Sequence, residues 1–454
     1  MSEALVRAEK TSVFPRYLDV GYPSIEGGEG VWLHGVDGRR ILDACGGGAM
    51  VACLGHGRRE IVEAAARQAE RLSYVYYHQF TNELQERLAR RLVELAAPTM
   101  ARARFVTGGS EANEMAIRLA RAYHAERGDT RRWRIVSPAQ AYHGATIGTL
   151  ALSGRPSLRT PFEPYLAEHL HLAPPGRGSD ETGEDALAEL DRVLEEAGPD
   201  TIAAYFCEPV GGAALPAYSP PRRFWEGLAE RREEHGFLVC FDEVVTGIGR
   251  TGTWFAGDQL PLEADIVSFG KALGAGYAPL AGILCRDHVY EAVDAGSRNF
   301  EHGHTWDGAP LFCAVGLAVL DELVRGRLVE RVRERGPRLL QELAAALAGS
   351  EVVGEVRGRG FLLGVELVDP RNGESALPPE VNAAALVDAT ALEHELLVTS
   401  SHSSPDGYVG DQTLLAPAYV STDEELAQMV ERLAATVADV EARVKETLAS
   451  SSPA

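Results

Sequence analysis

A series of short apolar runs, separated by longer polar or amphipathic stretches, constrains the fold of this chain most strongly. Runs that are apolar throughout, and do not alternate with polar residues, are typical of strands buried on both faces of a parallel sheet. Helical segments or loops separate the runs, so the sequence predicts an α/β fold with a parallel sheet. The runs cover residues 104–106, 133–136, 202–207, 237–241, 266–269 and 280–285.

The two ends of the chain have a different pattern from the middle. Residues 1–55 are rich in glycine and turns, with a hairpin predicted over residues 31–42. From residue 326 onwards a long helix, a strand pair and two further helices are predicted. We therefore expect a large domain over residues 56–325 and a smaller α+β domain formed by residues 1–55 and 326–454.

Charge and cysteine spacing exclude several classes of function. The formal net charge of -22 would repel a phosphate backbone, so no nucleic-acid partner is expected. The six cysteines form no C-x-x-C pair, which favours a reduced, cytoplasmic protein without disulfides. No apolar stretch reaches the roughly 18 residues that a membrane span needs. His302 and His304 form an H-x-H pair without a recognisable third ligand, so no metal is expected.

Two residues whose side chains could take part in catalysis follow neighbouring predicted strands. Asp242 directly follows the run GFLVCF, and Lys271 directly follows the run IVSFG. Lys271 is one of only three lysines, and the other two, Lys10 and Lys445, lie near the termini. Taken singly, Asp242 could be a helix cap and Lys271 a solvated side chain. Together, at the ends of neighbouring parallel strands, they would face one crevice and supply the pair that pyridoxal 5'-phosphate (PLP) requires: a lysine imine, and an acid for the ring nitrogen.

A glycine turn and an aromatic residue add to this arrangement. Gly109 and Ser110 lie between a predicted strand and a predicted helix, where backbone and helix N-terminus favour a phosphate. An ordinary strand-to-helix turn is the alternative interpretation. Tyr142 follows another strand and could stack on a planar ring, although a loop aromatic is the commoner occurrence.

Several segments together resemble the class III (ω-type) aminotransferases, which are PLP enzymes of fold type I. The resemblance covers most of the chain, and the segments occur in the order of that family. They are GGSEANEMAIRLAR (108–121), AYHGATIGTLALSG (141–154), CEPVGG (207–212), FDEVVTGIGRTGTWFA (241–256), DIVSFGKALGAGYAPLAG (265–282), HGHTWDGAP (302–310) and VRGRGFLLGVEL (356–367).

The resemblance implies a mostly parallel sheet of the seven-stranded type, and a role for each matching residue. Lys271 would hold PLP as a Schiff base and move the Cα proton, Asp242 would pair with the ring nitrogen, and Glu208 would lie near the substrate. The remaining cofactor contacts would be Gly109 and Ser110 at the phosphate, Val244 and Tyr142 on the two ring faces, His143 in a supporting role, and Thr305 reaching the phosphate from the partner subunit of a homodimer.

The sequence departs from the family pattern in the substrate pocket. Many relatives carry an arginine that binds a substrate carboxylate or pairs with the residue matching Glu208, but the matching position here is about Gly407. Either Arg155 or Arg298 replaces it, or an unpaired Glu208 favours an amine or cationic substrate. Met50 stands where an aromatic residue often lines the pocket.

The resemblance implies a ping-pong transfer of an amino group from an amine or ω-amino acid to a 2-oxo acid such as pyruvate or 2-oxoglutarate. A PLP-dependent racemase, aminomutase, decarboxylase or lyase remains an alternative, because these enzymes share the fold and the site residues. A binding protein that retains the site is a third interpretation, which the intact Lys271, Asp242 and Ser110 disfavour.

Overall fold

The computed structural model describes residues 4–177, 180–402 and 410–450. The strands, in chain order, are β1 Leu5–Arg7, β2 Gly21–Pro23, β3 Ile25–Glu29, β4 Trp32–Gly35, β5 Arg40–Asp43, β6 Met100–Val106, β7 Arg134–Pro138, β8 Leu170–Leu172, β9 Ile202–Cys207, β10 Leu238–Glu243, β11 Ile266–Phe269, β12 Ala281–Arg286, β13 Val353–Arg359, β14 Leu362–Leu367, β15 Leu396–Leu397, β16 Thr399–Ser401 and β17 Gln412–Leu415.

The α-helices include two amphipathic helices after the N-terminal strands and a long helix at the C-terminal end. They are α1 Arg59–Arg71, α2 Glu83–Leu95, α3 Gly109–Glu126, α4 Ile147–Leu152, α5 Pro156–Arg159, α6 Glu184–Ala197, α7 Arg222–His235, α8 Asp287–Ala295, α9 Pro310–Arg325, α10 Leu328–Leu347, α11 Ala383–Glu393 and α12 Asp423–Ser450. No helix in the described ranges is long and apolar enough to span a membrane.

A seven-stranded sheet forms the centre of the molecule, in the order β6-β12-β11-β10-β9-β7-β8. All residues of β9 and β10 are buried, as expected for strands covered on both faces. β12 is antiparallel to both of its neighbours, while the pairs among β8, β7, β9, β10 and β11 are parallel. This confirms the predicted α/β fold and mostly parallel sheet.

Three smaller sheets surround the central one. β13, β14, β17 and β16 form an antiparallel sheet, and β1 pairs with β2. The fourth sheet joins the two ends of the chain, because β15 pairs in parallel with β5, which belongs to the N-terminal hairpin. Domain boundaries at residues 56 and 325 stay a prediction.

Helix α3 connects the fold to the site. It begins at Gly109, directly after the edge strand β6, and packs across β11 and β12. Its buried face is small, with Ala112, Ala116 and Ala120 at helical spacing, so its backbone lies close to the sheet. The N-terminus of α3 therefore points to the carboxyl ends of the parallel strands, where ligands bind in folds of this kind.

Candidate active site

Asp242 and Lys271 lie on neighbouring parallel strands. Asp242 is the penultimate residue of β10 and pairs in register with Ser268 of β11. Lys271 follows β11 and opens a short 3-10 turn with a positive φ of 40°, a conformation that is uncommon for a residue with a side chain. Such backbone strain persists only where the surrounding structure enforces it, and it is concentrated at functional sites.

Lys271 is a half-buried residue, and the protein around its amine reduces the hydration of that group. This burial lowers the pKa of Lys271, although the nearby carboxylates of Asp242 and Glu208 act in the opposite direction. A lowered pKa increases the fraction of neutral amine, which is the form that can act as a nucleophile or accept a proton. Lys445, by contrast, forms ion pairs with Glu441 and Glu351 at the surface.

The carboxylate of Asp242 is buried and receives hydrogen bonds on both oxygens. Oδ1 accepts from the Val244 backbone N–H (3.0 Å) and from the Ser268 hydroxyl (3.4 Å). Oδ2 accepts from Asn113 Nδ2 (2.7 Å) and lies 2.8 Å from His143 Nδ1. These contacts fix the position of the carboxylate, which can then hold a cationic partner.

His143 lies behind Asp242 in a fully buried position. Its Nε2 is 3.2 Å from the Ser137 hydroxyl, and its backbone N–H donates to Ser153 Oγ (2.9 Å). Sequence reasoning gave His143 a supporting role but missed Asn113, Ser137 and Ser268. Asn113 lies inside the matched segment 108–121, but nothing in its pattern shows which carboxylate its amide contacts.

The glycine turn before α3 closes tightly around neighbouring groups. A Cβ on Gly109 would lie 2.7 Å from Cγ1 of Val244, so only glycine allows this approach. A Cβ on Gly144 would lie 2.6 Å from the Ser110 hydroxyl, which also accepts the backbone N–H of Ala145 (3.1 Å). The structure thus brings the turn at Gly109, the Val244 side chain and the loop after Tyr142 together at the N-terminus of an 18-residue helix.

Glu208 lies beside the loop that carries Tyr142. Its two carboxylate oxygens accept the backbone N–H groups of Gly212 (2.8 Å) and Tyr142 (3.2 Å). Burial raises the pKa of the Glu208 carboxyl to about 7, with His143 acting in the opposite direction. The Tyr142 side chain remains 38% exposed, so its ring has an open face.

The remaining pocket residues are only partly located. Met50 packs in a small apolar cluster with Val245, which contacts the Glu208 loop at Gly212. Arg298 is exposed and lies 3.5 Å from Asp294. Arg155 donates to the His402 carbonyl (2.9 Å), and Gly407 lies outside the described residues.

Thr305 occupies an exposed loop that faces aromatic side chains. Its carbonyl oxygen accepts the Tyr74 hydroxyl (2.8 Å), and the Tyr74 ring packs edge-on against Trp306 at 5.3 Å. The neighbouring His304 lies 3.2 Å from Glu111, in the first turn of α3. Thr305 therefore lies at the surface, next to a residue that contacts the first turn of α3.

The chemistry of these groups fits PLP. A buried amine suits its aldehyde, and a hydrogen-bonded carboxylate suits its ring nitrogen. The N-terminus of α3, with Gly109 and Ser110, suits its phosphate. The described residues contain no group of three or more His, Cys, Asp and Glu side chains that could hold a metal ion.

Comparison with known proteins identifies the family of this chain. Residues 17–437 match the family model described as aminotransferase class-III. The chain is 35% identical over 427 residues to an uncharacterized aminotransferase of Schizosaccharomyces pombe, covering 91% of this chain and 92% of that protein. It is 32% identical to gamma aminobutyrate transaminase 2 of Solanum lycopersicum, covering 94% of each.

Among solved structures, an (S)-enantioselective omega-transaminase from Thermomicrobium roseum is similar over the whole fold. The TM-score is 0.88 at 35% identity, covering 95% of this chain and 96% of that one. The family model, the relatives and the solved structure agree on the family of this chain. The chain therefore belongs to the class III aminotransferases, whose members use PLP to transfer amino groups.

Proposed function

We propose that this aminotransferase moves an amino group from a primary amine or ω-amino acid to a 2-oxo acid, with Lys271 and Asp242 as catalytic residues. The observation that carries the proposal is their placement at the ends of paired strands. Lys271 presents a buried amine, and Asp242 presents a carboxylate held by four hydrogen-bonding groups. When bound, PLP supplies an aldehyde that condenses with amines and a ring that withdraws electrons from the substrate carbon.

Lys271 accepts and donates the protons that the reaction moves. Burial lowers its pKa, so a larger share of Nζ is neutral and able to accept the proton from the substrate carbon. Asp242 would pair with the ring nitrogen of the cofactor, because hydrogen bonds on both oxygens hold its carboxylate in place. Both steps use groups that the fold has already oriented, so little reorganisation is needed.

The phosphate and ring contacts follow from the start of α3. Gly109 and Ser110 hold the phosphate at the helix N-terminus, where backbone N–H groups and the helix dipole favour an anion. Val244 packs on one face of the ring and Tyr142 on the other. Support comes from the close approach of Val244 to Gly109 and from the exposed Tyr142 ring.

The substrate preference is set by Glu208. Among the described residues no arginine forms an ion pair with it, and both of its oxygens are occupied by backbone N–H groups. The sequence contains no arginine between Arg371 and Arg432, so the family position near Gly407 cannot provide one. We expect a distal carboxylate, as in 2-oxoglutarate, to bind less well than pyruvate, and a distal ammonium group to be accepted.

A panel of donors and acceptors tests the proposed function. 4-Aminobutyrate, putrescine, 1-phenylethylamine and alanine are each supplied with pyruvate or 2-oxoglutarate, and the new amino acid is measured by chromatography. We expect at least one amine to give alanine from pyruvate, with equal amounts of amine lost and alanine gained. Amine consumption that does not depend on any 2-oxo acid would contradict transamination.

The active enzyme is a homodimer in which Thr305 reaches the phosphate of the partner subunit. An aromatic patch beside Thr305 supports this, because monomers seldom expose so many neighbouring aromatic side chains. The aromatic patch consists of Tyr74, Tyr76, Tyr77, Phe80 and Trp306, each at least 36% exposed. A second copy of this chain would bury the patch and bring two Thr305 loops to two phosphate sites.

The protein acts in the cytoplasm. All six cysteines are unpaired and buried, which suits a compartment that keeps thiols reduced. Burial also raises the pKa of several of these thiols, including Cys45 and Cys53 to about 12, so they remain protonated and unreactive at neutral pH.

A further inference from the structure

Asn113 joins three elements of the site through one side-chain amide. It lies in the second turn of α3 and is 1% exposed. Its Nδ2 donates to Asp242 Oδ2 (2.7 Å) and to the backbone carbonyl of His143 (2.7 Å). The helix that begins at the phosphate site, the strand that ends at Asp242 and the loop that carries Tyr142 therefore share one NH₂ group.

The orientation of the amide follows from its neighbours. Both contacts of Nδ2 are oxygen acceptors, so a reversed amide would place Oδ1 against the Asp242 carboxylate and the His143 carbonyl. In the observed orientation Oδ1 is buried without a hydrogen-bond partner among the described residues. An unsatisfied buried acceptor costs free energy, so the site keeps the two donor bonds at the expense of the acceptor.

We propose that Asn113 is a positioning residue of the transamination site, which sets the orientation of Asp242 and the distance between the phosphate, ring-nitrogen and ring-face contacts. The proposal rests on the proposed roles of Asp242 and Tyr142. Asn113 acts through these two residues.

Three other groups also contact Asp242. Ser268 contacts Oδ1 at 3.4 Å, and the Val244 N–H fixes only that same oxygen. On Oδ2 the other partner is His143, whose ring is held by Ser137 at 3.2 Å. Asn113 is thus the one described side chain that bonds both Asp242 and the backbone of the Tyr142 loop.

The test compares Asn113→Asp with Asn113→Ala and a control, Ser153→Ala. Asn113→Asp has the same shape but replaces the donor with an acceptor, which faces the carboxylate of Asp242. Ser153→Ala removes another hydrogen bond to the His143 backbone, its N–H to Ser153 Oγ, without touching Asp242. The cofactor dissociation constant and the visible circular dichroism of bound PLP are measured, with thermal unfolding of the cofactor-free proteins to confirm folding.

We expect Asn113→Asp to raise the cofactor dissociation constant by about tenfold or more, since tenfold corresponds to one lost charge-assisted hydrogen bond of roughly average strength. Its circular dichroism and the pH dependence of the cofactor absorption should also change, because Asp242, with Lys271, Glu208 and His143 facing it, loses one of the two groups that contact Oδ2. Asn113→Ala should show a smaller increase of the cofactor dissociation constant. If Asn113→Asp does not fold, the result for Asn113→Ala tests the proposal. Ser153→Ala should bind the cofactor within about twofold of the wild type.

Wild-type affinity and dichroism in both Asn113 variants would overturn the proposal, as would an equal defect in Ser153→Ala. The result is separable from the proposed function. A wild type that binds PLP tightly but transfers no amino group would contradict the function alone, whereas the Asn113 measurements need only the bound cofactor.

Discussion

At the scale of single residues, Lys271 has two features that reduce the stability of the folded protein and that its proposed function explains. It is a non-glycine residue with φ of 40°, and its amine is buried where desolvation outweighs the attraction of Asp242 and Glu208. Strained backbone of this kind costs on the order of 1–3 kcal/mol. A site with both features lowers the stability of the cofactor-free protein, because catalysis requires them.

We predict that Lys271→Met stabilises the cofactor-free protein and that the gain depends on pH. Below the lowered pKa of Lys271 the folded state must bury a charged amine, so the wild type is then least stable relative to the variant. As the pH rises towards 10.5, the unfolded lysine also loses its proton, and the part of the difference that comes from burying a charge disappears. Urea unfolding of both proteins between about pH 7 and 10 measures this, and each pKa unit is worth about 1.4 kcal/mol. A constant gap would contradict the assignment.

Glu208 leads to a second prediction, on selectivity. Its pKa is raised to about 7, so its carboxylate is charged mainly above that pH. The ratio of kcat/KM for putrescine to kcat/KM for 1-phenylethylamine should rise as the pH increases through about 7, because a distal ammonium group binds the charged form. Glu208→Gln should flatten this profile and lower the ratio at pH 8 by about tenfold, the value of one charge-assisted contact. An unchanged ratio would place the cation elsewhere.

The sequence indicated Asp242 and Lys271, the pair proposed to act on the cofactor, but not the groups that contact Asp242. Asp242 and Lys271 could be placed because strand ends meet at one edge of a parallel sheet, whatever the side-chain rotamers are. Asn113 and Ser137 could not be assigned, because their partners depend on how α3 and the loop after β7 pack against β10. Such contacts are set by tertiary distances of a few ångströms, which no periodicity encodes.

At the scale of elements, α3 and β12 show opposite limits of sequence reasoning. A helix was predicted directly after the glycine turn, and α3 begins there, at Gly109. β12 was predicted as a strand but not as an antiparallel one. The connection from β11 to β12 contains only a 3-10 turn at Lys271–Leu273, and without a helical crossover the next strand returns antiparallel.

The N-terminus of α3 provides a prediction at this scale. Gly109→Ala would place a Cβ 2.7 Å from Val244 Cγ1 and push apart the turn and the side chain proposed to pack on the ring. We expect cofactor affinity to fall by about tenfold or more, while the helix itself gains from the better propensity of alanine. Gly349→Ala is a matched control, because nothing lies within 4 Å of its Cβ. Equal cofactor titrations for the two variants would contradict the close packing.

At the scale of the whole molecule, the aromatic patch is the feature that a single chain leaves unexplained. Sequence resemblance implied a homodimer through Thr305, and the structure adds an exposed surface in contact with that loop. Oligomeric state could not be derived from the apolar pattern, because surface aromatics and core aromatics are spaced alike along the chain.

We predict that Trp306→Glu shifts the protein from dimer to monomer. A buried charge in the aromatic patch has no partner, so association should weaken by several kcal/mol and cofactor affinity should fall with it. Sedimentation velocity measures the state, and a cofactor titration measures the coupling. Trp133→Glu, an equally exposed tryptophan outside the patch, should stay dimeric. A dimer that survives Trp306→Glu would place the interface elsewhere.

The most direct test of the whole account uses the scarcity of lysine in this chain. The protein is loaded with PLP and reduced with borohydride before and after exposure to an amine donor without acceptor, and the modified residue is mapped by mass spectrometry. We predict cofactor attached to Lys271 before the donor, loss of that attachment after it because the amino group has moved, and its return when pyruvate is added. Attachment at Lys10 or Lys445, or attachment at Lys271 that no amine removes, would contradict the assignment of this site and its reaction.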